Sequence, residues 1–135
     1  MQTAPTYSDV LQDISHFLSR RLADVSSVGI DLDRVIIDPG FGFGKTAEQN
    51  FELLARLSEL QGIGQPVLVG LSRKSMISSV LDRLPEQRMV ASVALALMAV
   101  ERGARIVRVH DVAATFDALS MWQTTRHVLS QSQPL

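Results

Sequence analysis

Three short stretches of this chain gather residue types that bind polar, planar or anionic molecules. Residues 35–45 read VIIDPGFGFGK. A β-branched run ends at Asp38, Pro39 and three glycines then alternate with Phe41 and Phe43, and Lys45 closes the stretch. Aspartate is rarely buried without a partner. A carboxylate at a strand's C-terminal tip, ahead of a loop that needs unusual backbone angles, points to a ligand site. The glycines let backbone approach a flat ligand, and the phenylalanines can wall an aromatic one. A tight turn capped by Asp38 is the alternative. Nucleotide loops fit poorly: G-x-x-x-x-G-K-[ST] needs glycine where Pro39 stands, and the glycines do not run G-x-G-x-x-G.

Residues 67–76 read VLVGLSRKSM. A strand runs into Gly70, and Ser72, Arg73, Lys74 and Ser75 follow at the start of a short helix. Cations there oppose the positive field of free N–H groups. Arg73 and Lys74 therefore suggest an anionic or electron-rich ligand, with a solvated basic turn as the alternative. Residues 105–112 read RIVRVHDV. Alternation puts Ile106, Arg108 and His110 on one face and Val107 and Val109 on the other. Arg108 and His110 together make an anion site. Asp111 can orient His110 or cap the next helix, and the cap is favoured. His16 and His127 fall in helical segments, and the three histidines lack metal-ligand spacing.

The elements that must position these residues read α-β-α-β-α-β-α. Apolar residues from Tyr7 to Val25 (Val10, Leu11, Ile14, Phe17, Leu18, Leu22, Val25) follow a helical period, with Ser8 or Asp9 as cap. Val35–Ile37 read as a strand. A helix over 47–60 follows Thr46. Pro66–Gly70 is the second strand, Ser75–Arg83 a short helix, Glu86–Arg102 a long apolar one stopped by Gly103. Ala104–His110 is the third strand and Ala113–Leu129 the last helix, with a frayed SQSQPL tail. Strands alternating with helices predict parallel βα units.

The three strand tips are Asp38, Gly70 and His110, at intervals that suit a (β/α)8 barrel, whose full form needs about 250 residues. The chain has 135 residues, 46% hydrophobic and 20% charged, with net charge −1 and pI near 6.3. That is one globular domain without a global field for nucleic acid or membrane. Cysteine is absent, which excludes disulfides and thiol catalysis and fits a cytoplasmic chain. No apolar run reaches membrane-spanning length, and MQTAPTYSDV lacks a signal-peptide pattern.

Gathered at strand tips, one carboxylate, one lysine, two arginines and one histidine suit a planar heterocycle with amide-like donors and a phosphorylated group. Asp38 can accept from two N–H donors, Lys74 can donate to a carbonyl or ring nitrogen, and the Arg108 plane can stack on a ring.

In order and spacing, IDPGFGFGK, VGLSRKSMI and RVHDV resemble the C-terminal half of bacterial dihydropteroate synthase, and the resemblance covers essentially the whole chain, residues 1–135. It implies a transferase of folate biosynthesis on a partial (β/α)8 TIM barrel, about strands six to eight with helices five to eight. That family condenses 4-aminobenzoate with 6-hydroxymethyl-7,8-dihydropterin pyrophosphate, and sulfonamides compete with the aminobenzoate. The resemblance implies that Asp38 accepts from the pterin's amino-pyrimidine edge and that Gly70 lies against the pterin. Lys74 would reach the pterin carbonyl and ring nitrogen and line the aminobenzoate pocket, and Arg108 would stack on the pterin and, with His110, hold the pyrophosphate. Phe43 would wall the aminobenzoate site, and Ser75 would meet its carboxylate. The family's first five strands are missing, and with them the asparagine linked to Mg²⁺, so the chain alone is expected to lack turnover. A homodimer through the last helices is implied. The alternatives are a stand-alone pterin- or phosphate-binding module and a methyltetrahydrofolate-binding barrel.

Overall fold

The computed structural model describes residues 8–132. The expected helix start at Tyr7 and the end of the SQSQPL tail lie outside them. Helix α1 (Val10–Ser27) begins where Asp9 accepts from the N–H groups of Leu11 and Gln12, both at 3.1 Å. Its buried stripe is Val10, Leu11, Ile14, Leu18 and Leu22. Phe17 lies off that stripe, half-exposed, with the Arg21 guanidinium over its ring. Helix α2 (Ala47–Ala55) opens on a reciprocal cap. Thr46 Oγ1 accepts from Gln49 N–H, and Gln49 Oε1 accepts from Thr46 N–H.

The helix expected over 47–60 is α-helical only to Ala55. The chain then tightens to a 3₁₀ turn (Leu57–Ile63) that ends at left-handed Gly64, keeping Leu57 and Leu60 buried. Arg56, at the junction, bonds Glu59, Glu52 and Asp9. It thereby ties the end of α2 to the start of α1.

Strand β1 (Val67–Val69) pairs in parallel with β2 (Ala104–Val107), Leu68 opposite Ile106 and Val69 opposite Val107. The expected strand over Val35–Ile37 reduces to a single parallel bridge, Ile37 to Val67. Ile37 N–H donates to Pro66 and Ile37 C=O accepts from Leu68 N–H. The third strand is likewise shorter than expected, its ladder ending at Val107, although Arg108 N–H still donates to Val69 C=O at 2.9 Å. Both outer strands have a partner on one side only, so their ends leave the ladder early. The parallel βα order stands as read from the sequence.

The sheet has two unlike faces. Ile37, Val67 and Val69 are buried in the main cluster with Leu53, Leu54, Leu57 and Leu60, while Ile36 and Ile106 are exposed on alternate positions. The segment expected as a helix over Ser75–Arg83 is a 3₁₀ turn, Ser75–Ser79. Ser78 and Ser79 donate their hydroxyls back to the carbonyls of Ser75 and Met76, competing with helical bonding. A second 3₁₀ turn (Pro85–Gln87) precedes α3 (Met89–Glu101), which ends before Gly103 at φ 103°. Helix α4 spans Val112–Ser132. No helix among the described residues is long and apolar enough to cross a membrane.

Candidate active site

The glycine loop leaves the Ile37 bridge at Asp38. Asp38 Oδ1 accepts from Gly40 N–H at 2.9 Å, an Asx turn that leaves the exposed carboxylate at the sheet's C-terminal edge. Gly40, Gly42 and Gly44 all adopt left-handed backbone, φ 75°, 83° and 66°. That winding buries Phe41 completely and exposes Phe43. Buried Asn50, on α2, holds the loop from below. Its Oδ1 accepts from Gly42 N–H at 2.8 Å, and its Nδ2 donates to Thr46 C=O at 3.0 Å.

Both lysines of the chain converge on this loop. Lys45 Nζ donates to the carbonyls of Gly40 and Phe43, at 2.7 and 3.2 Å. Lys74 reaches it from the segment after β1, donates to Phe41 C=O and lies 4.9 Å from the centre of the Phe43 ring. Burial, then repulsion from Arg108, holds the Lys74 ammonium below its ordinary range, with Asp38 partly offsetting. Burial, then repulsion from Lys74, does the same to Lys45, again against Asp38. Asp38, Lys74, Lys45 and Arg108 therefore share one electrostatic neighbourhood.

Arg108 lies across Gly70. A Cβ at Gly70 would sit 2.7 Å from Arg108 Nη2 and 3.1 Å from Nε, so the bare glycine is what lets the guanidinium approach the strand backbone this closely. His110 is fixed by Ser72, which is 8% exposed: Ser72 Oγ accepts from His110 N–H at 3.2 Å and pairs with His110 Nδ1 at 2.8 Å. When the Ser72 hydroxyl donates to Nδ1, the ring proton resides on Nε2.

Arg73 is not brought into this cluster. Its Nε and Nη2 donate to the two Asp111 oxygens at 3.3 and 2.9 Å. Asp111 thus does not cap α4 with its side chain as expected; it is drawn to a guanidinium that arrives from the neighbouring loop. Ser75 opens the 3₁₀ turn and is exposed. That five-residue turn is too short to build the helix dipole expected of a full helix there.

Sequence reasoning missed Asn50 and Ser92, and it named Ser72 without its hold on His110. Ser92 is the buried hydroxyl on α3 that accepts from Arg73 N–H at 2.9 Å. A lone serine within the apolar run VASVALALMAV was the available signal. Asn50 offered none beyond a polar residue on a helix that buries leucines. Among the described residues no group of three or more histidines and carboxylates could hold a metal ion. A cleft of about 380 Å³ lies between α1 and the glycine loop, lined by Asp13, Phe17, Asp38, Phe43 and Lys45. A larger one, about 510 Å³, opens at the opposite end of β2 around Arg105 and Trp122. Its lining holds none of the candidate side chains.

Residues 1–110 match the family described as pterin binding enzyme. The dihydropteroate synthase of Haemophilus influenzae is 53% identical over 93% of this chain and 46% of its own length. The solved dihydropteroate synthase of Xanthomonas albilineans with 4-aminobenzoic acid superposes with TM-score 0.89 at 50% identity, covering 97% of this chain and 46% of that one. The Yersinia pestis enzyme in a sulfonamide drug complex gives TM-score 0.91 at 43% identity, over 94% and 46%. The chain spans about half the length of these relatives and aligns with the C-terminal half. With its glycine loop, its SRKS turn and its strand end through His110 all inside the matched residues, the chain belongs to the pterin binding enzyme family.

Proposed function

We propose that this chain supplies the C-terminal half of a dihydropteroate synthase active site. The reaction joins 4-aminobenzoate to 6-hydroxymethyl-7,8-dihydropterin pyrophosphate. The C–O bond at the pterin's exocyclic methylene breaks, pyrophosphate leaves with the electron pair, the arylamine nitrogen forms the new C–N bond, and that nitrogen loses a proton. The observation that carries this reading is geometric: at one edge of the sheet Asp38 opens the glycine loop, Lys74 donates into that loop and Arg108 lies across Gly70.

Asp38 accepts N–H donors of the pterin's amino-pyrimidine edge, two parallel bonds that suit a carboxylate. Lys74 donates to the pterin carbonyl and ring nitrogen, leaving Phe41 C=O to do so. Arg108, held across Gly70, stacks on the ring and with His110 receives the departing pyrophosphate. Phe43 walls the aminobenzoate side, and Ser75 meets its carboxylate. Arg73, held by Asp111, serves that side through the loop it shapes. No side chain here needs to act as a nucleophile. Positioning and stabilisation of the leaving charge carry the rate.

The rest of the machine belongs to the same reading. The parallel units are strands six to eight and helices five to eight of a (β/α)8 barrel, and residues 1–135 are its C-terminal half. The exposed face of Ile36 and Ile106 then lines the barrel interior. Magnesium binds through the other half. Exposed Val90, Phe116 and Met121 on α3 and α4 support a homodimer through the last helices. Sulfonamides compete for the aminobenzoate pocket, and the enzyme works in the cytoplasm.

The test joins the N-terminal half of the Haemophilus influenzae relative ahead of this chain and measures dihydropteroate formation. The chimaera is expected to turn over, Lys74→Ala to lose at least about 10²-fold in kcat/KM, and the 135-residue chain alone to give no product. Unchanged activity of Lys74→Ala would remove the site assignment.

A further inference from the structure

We infer that Ser92 is a positioning residue for Lys74: its hydroxyl holds the Arg73 N–H, and with it the left-handed turn that delivers the ammonium to the glycine loop. The inference deepens the pterin reading and rests on it for its functional meaning.

Ser92 interrupts an otherwise apolar stretch of α3 and is 4% exposed. A helical serine satisfies itself by donating to the carbonyl one turn back, and Ser92 Oγ does so to Arg88 C=O at 2.5 Å. Alanine would fit the same helix with better propensity. What the hydroxyl adds is its second bond, accepting from Arg73 N–H at 2.9 Å.

Arg73 needs that help. At φ 57° it is the one non-glycine among the described residues in the left-handed region, where a Cβ is crowded. Such a conformation persists only where the surroundings over-determine it. Here Ser92 takes the N–H, Arg88 Nη1 donates to the C=O at 2.8 Å, and Asp111 takes the guanidinium. The first turn of α3 thus grips both polar groups of Arg73, while the start of α4 grips the side chain. The chain leaves this clamp as Lys74, extended at φ −73° and ψ 155°, with its Nζ on Phe41 C=O and over the Phe43 ring. A turn free to relax would carry Lys74 elsewhere. The charged groups that face Lys74 are Arg108, just past the end of β2, and Asp38 and Lys45 from the glycine loop. Leaving them and the protein interior would return its ammonium toward ordinary lysine behaviour.

The experiment uses the full chain and NMR. Only two lysines are present, so both side-chain nitrogens can be followed through a pH titration. Ser92→Ala is expected to speed exchange of the Arg73 amide by about tenfold or more. It is also expected to raise the Lys74 midpoint toward the ordinary lysine range. Ser92→Thr, which keeps the hydroxyl, restores both. Should Ser92→Ala fail to fold, Ser92→Cys keeps the volume with a much weaker acceptor and carries the same expectation. A variant that melts earlier yet leaves the Arg73 exchange and the Lys74 titration at their original values shows Ser92 to be structural only and overturns the inference. In the chimaera, Ser92→Ala should lower kcat/KM about tenfold with Ser92→Thr near the starting value. If Lys74→Ala proves harmless there, the pterin reading falls while the NMR result stands.

Discussion

Replacing Gly70 by alanine puts a methyl carbon 2.7 Å from Arg108 Nη2 and 3.2 Å from Cζ. Comfortable contact for such atoms begins near ~3.5 Å, so the guanidinium must retreat by roughly 1 Å. The backbone has no reason to object, because Gly70 is absent from the positive-φ glycines and the crowding atom is the far end of a flexible side chain. The expected result is a split. Thermal stability should change by less than about 1 kcal/mol, a few degrees of melting temperature. Turnover of the chimaera should fall about 10²-fold, the penalty typical of a 1 Å misplacement at a reacting centre. Steady-state kinetics on Gly70→Ala, Arg108→Ala and the double variant complete the test. If Gly70 acts only by making room for Arg108, the double variant is no slower than Arg108→Ala alone. Independent, multiplicative losses would refute that logic, and so would a Gly70→Ala enzyme within threefold of the parent.

Three further outcomes follow from the same geometry. Asn50→Ala removes the acceptor for Gly42 N–H and the donor to Thr46 C=O, so urea unfolding should register a loss of about 1–3 kcal/mol; no loss would mean the loop holds itself. Lys74 and Lys45 both sit below the ordinary 10.5, through burial first and then neighbouring cations. Between their folded values and 10.5 the unfolded chain binds more protons, so stability should rise with pH across that window and the rise should shrink in a Lys45→Met, Lys74→Met double variant. Asp9 is held below its ordinary 3.8, first by the Gln12 N–H and then by Arg56. The stability it lends is present above 3.8 and is lost as pH falls through its folded value. Asp9→Asn, an equally good cap, should keep α1 intact at neutral pH and flatten that part of the acid limb in circular dichroism.

Much of this fold was legible because its cues are local. Asp9 and Thr46 bond N–H groups two or three residues ahead, so their capping roles can be read from neighbouring letters. The parallel βα order follows from alternating periodicities, and Asp38 and Gly70 could be placed at strand ends by counting along each run, whereas His110 lies beyond the end of its strand at Val107. Strand lengths were less legible. Val35–Ile37 has the composition of a strand, yet only Ile37 finds a partner, because a ladder's extent depends on what lies beside it.

Side-chain allegiance was decided by tertiary structure. Arg73 and Lys74 are adjacent cations, and nothing in the letters says that one turns to Asp111 while the other turns to the glycine loop. Those choices are made across 38 and 33 residues of chain. Asn50 looks unremarkable in sequence and Ser92 stands out only as a lone hydroxyl in an apolar run, and both become structural posts only when packing brings backbone N–H groups within 3 Å of them. Residue type and spacing determined which charged and polar groups stand near the C-terminal ends of its strands. The directions in which its charges point were settled by packing, since a buried donor or acceptor must find whatever partner the fold has set beside it.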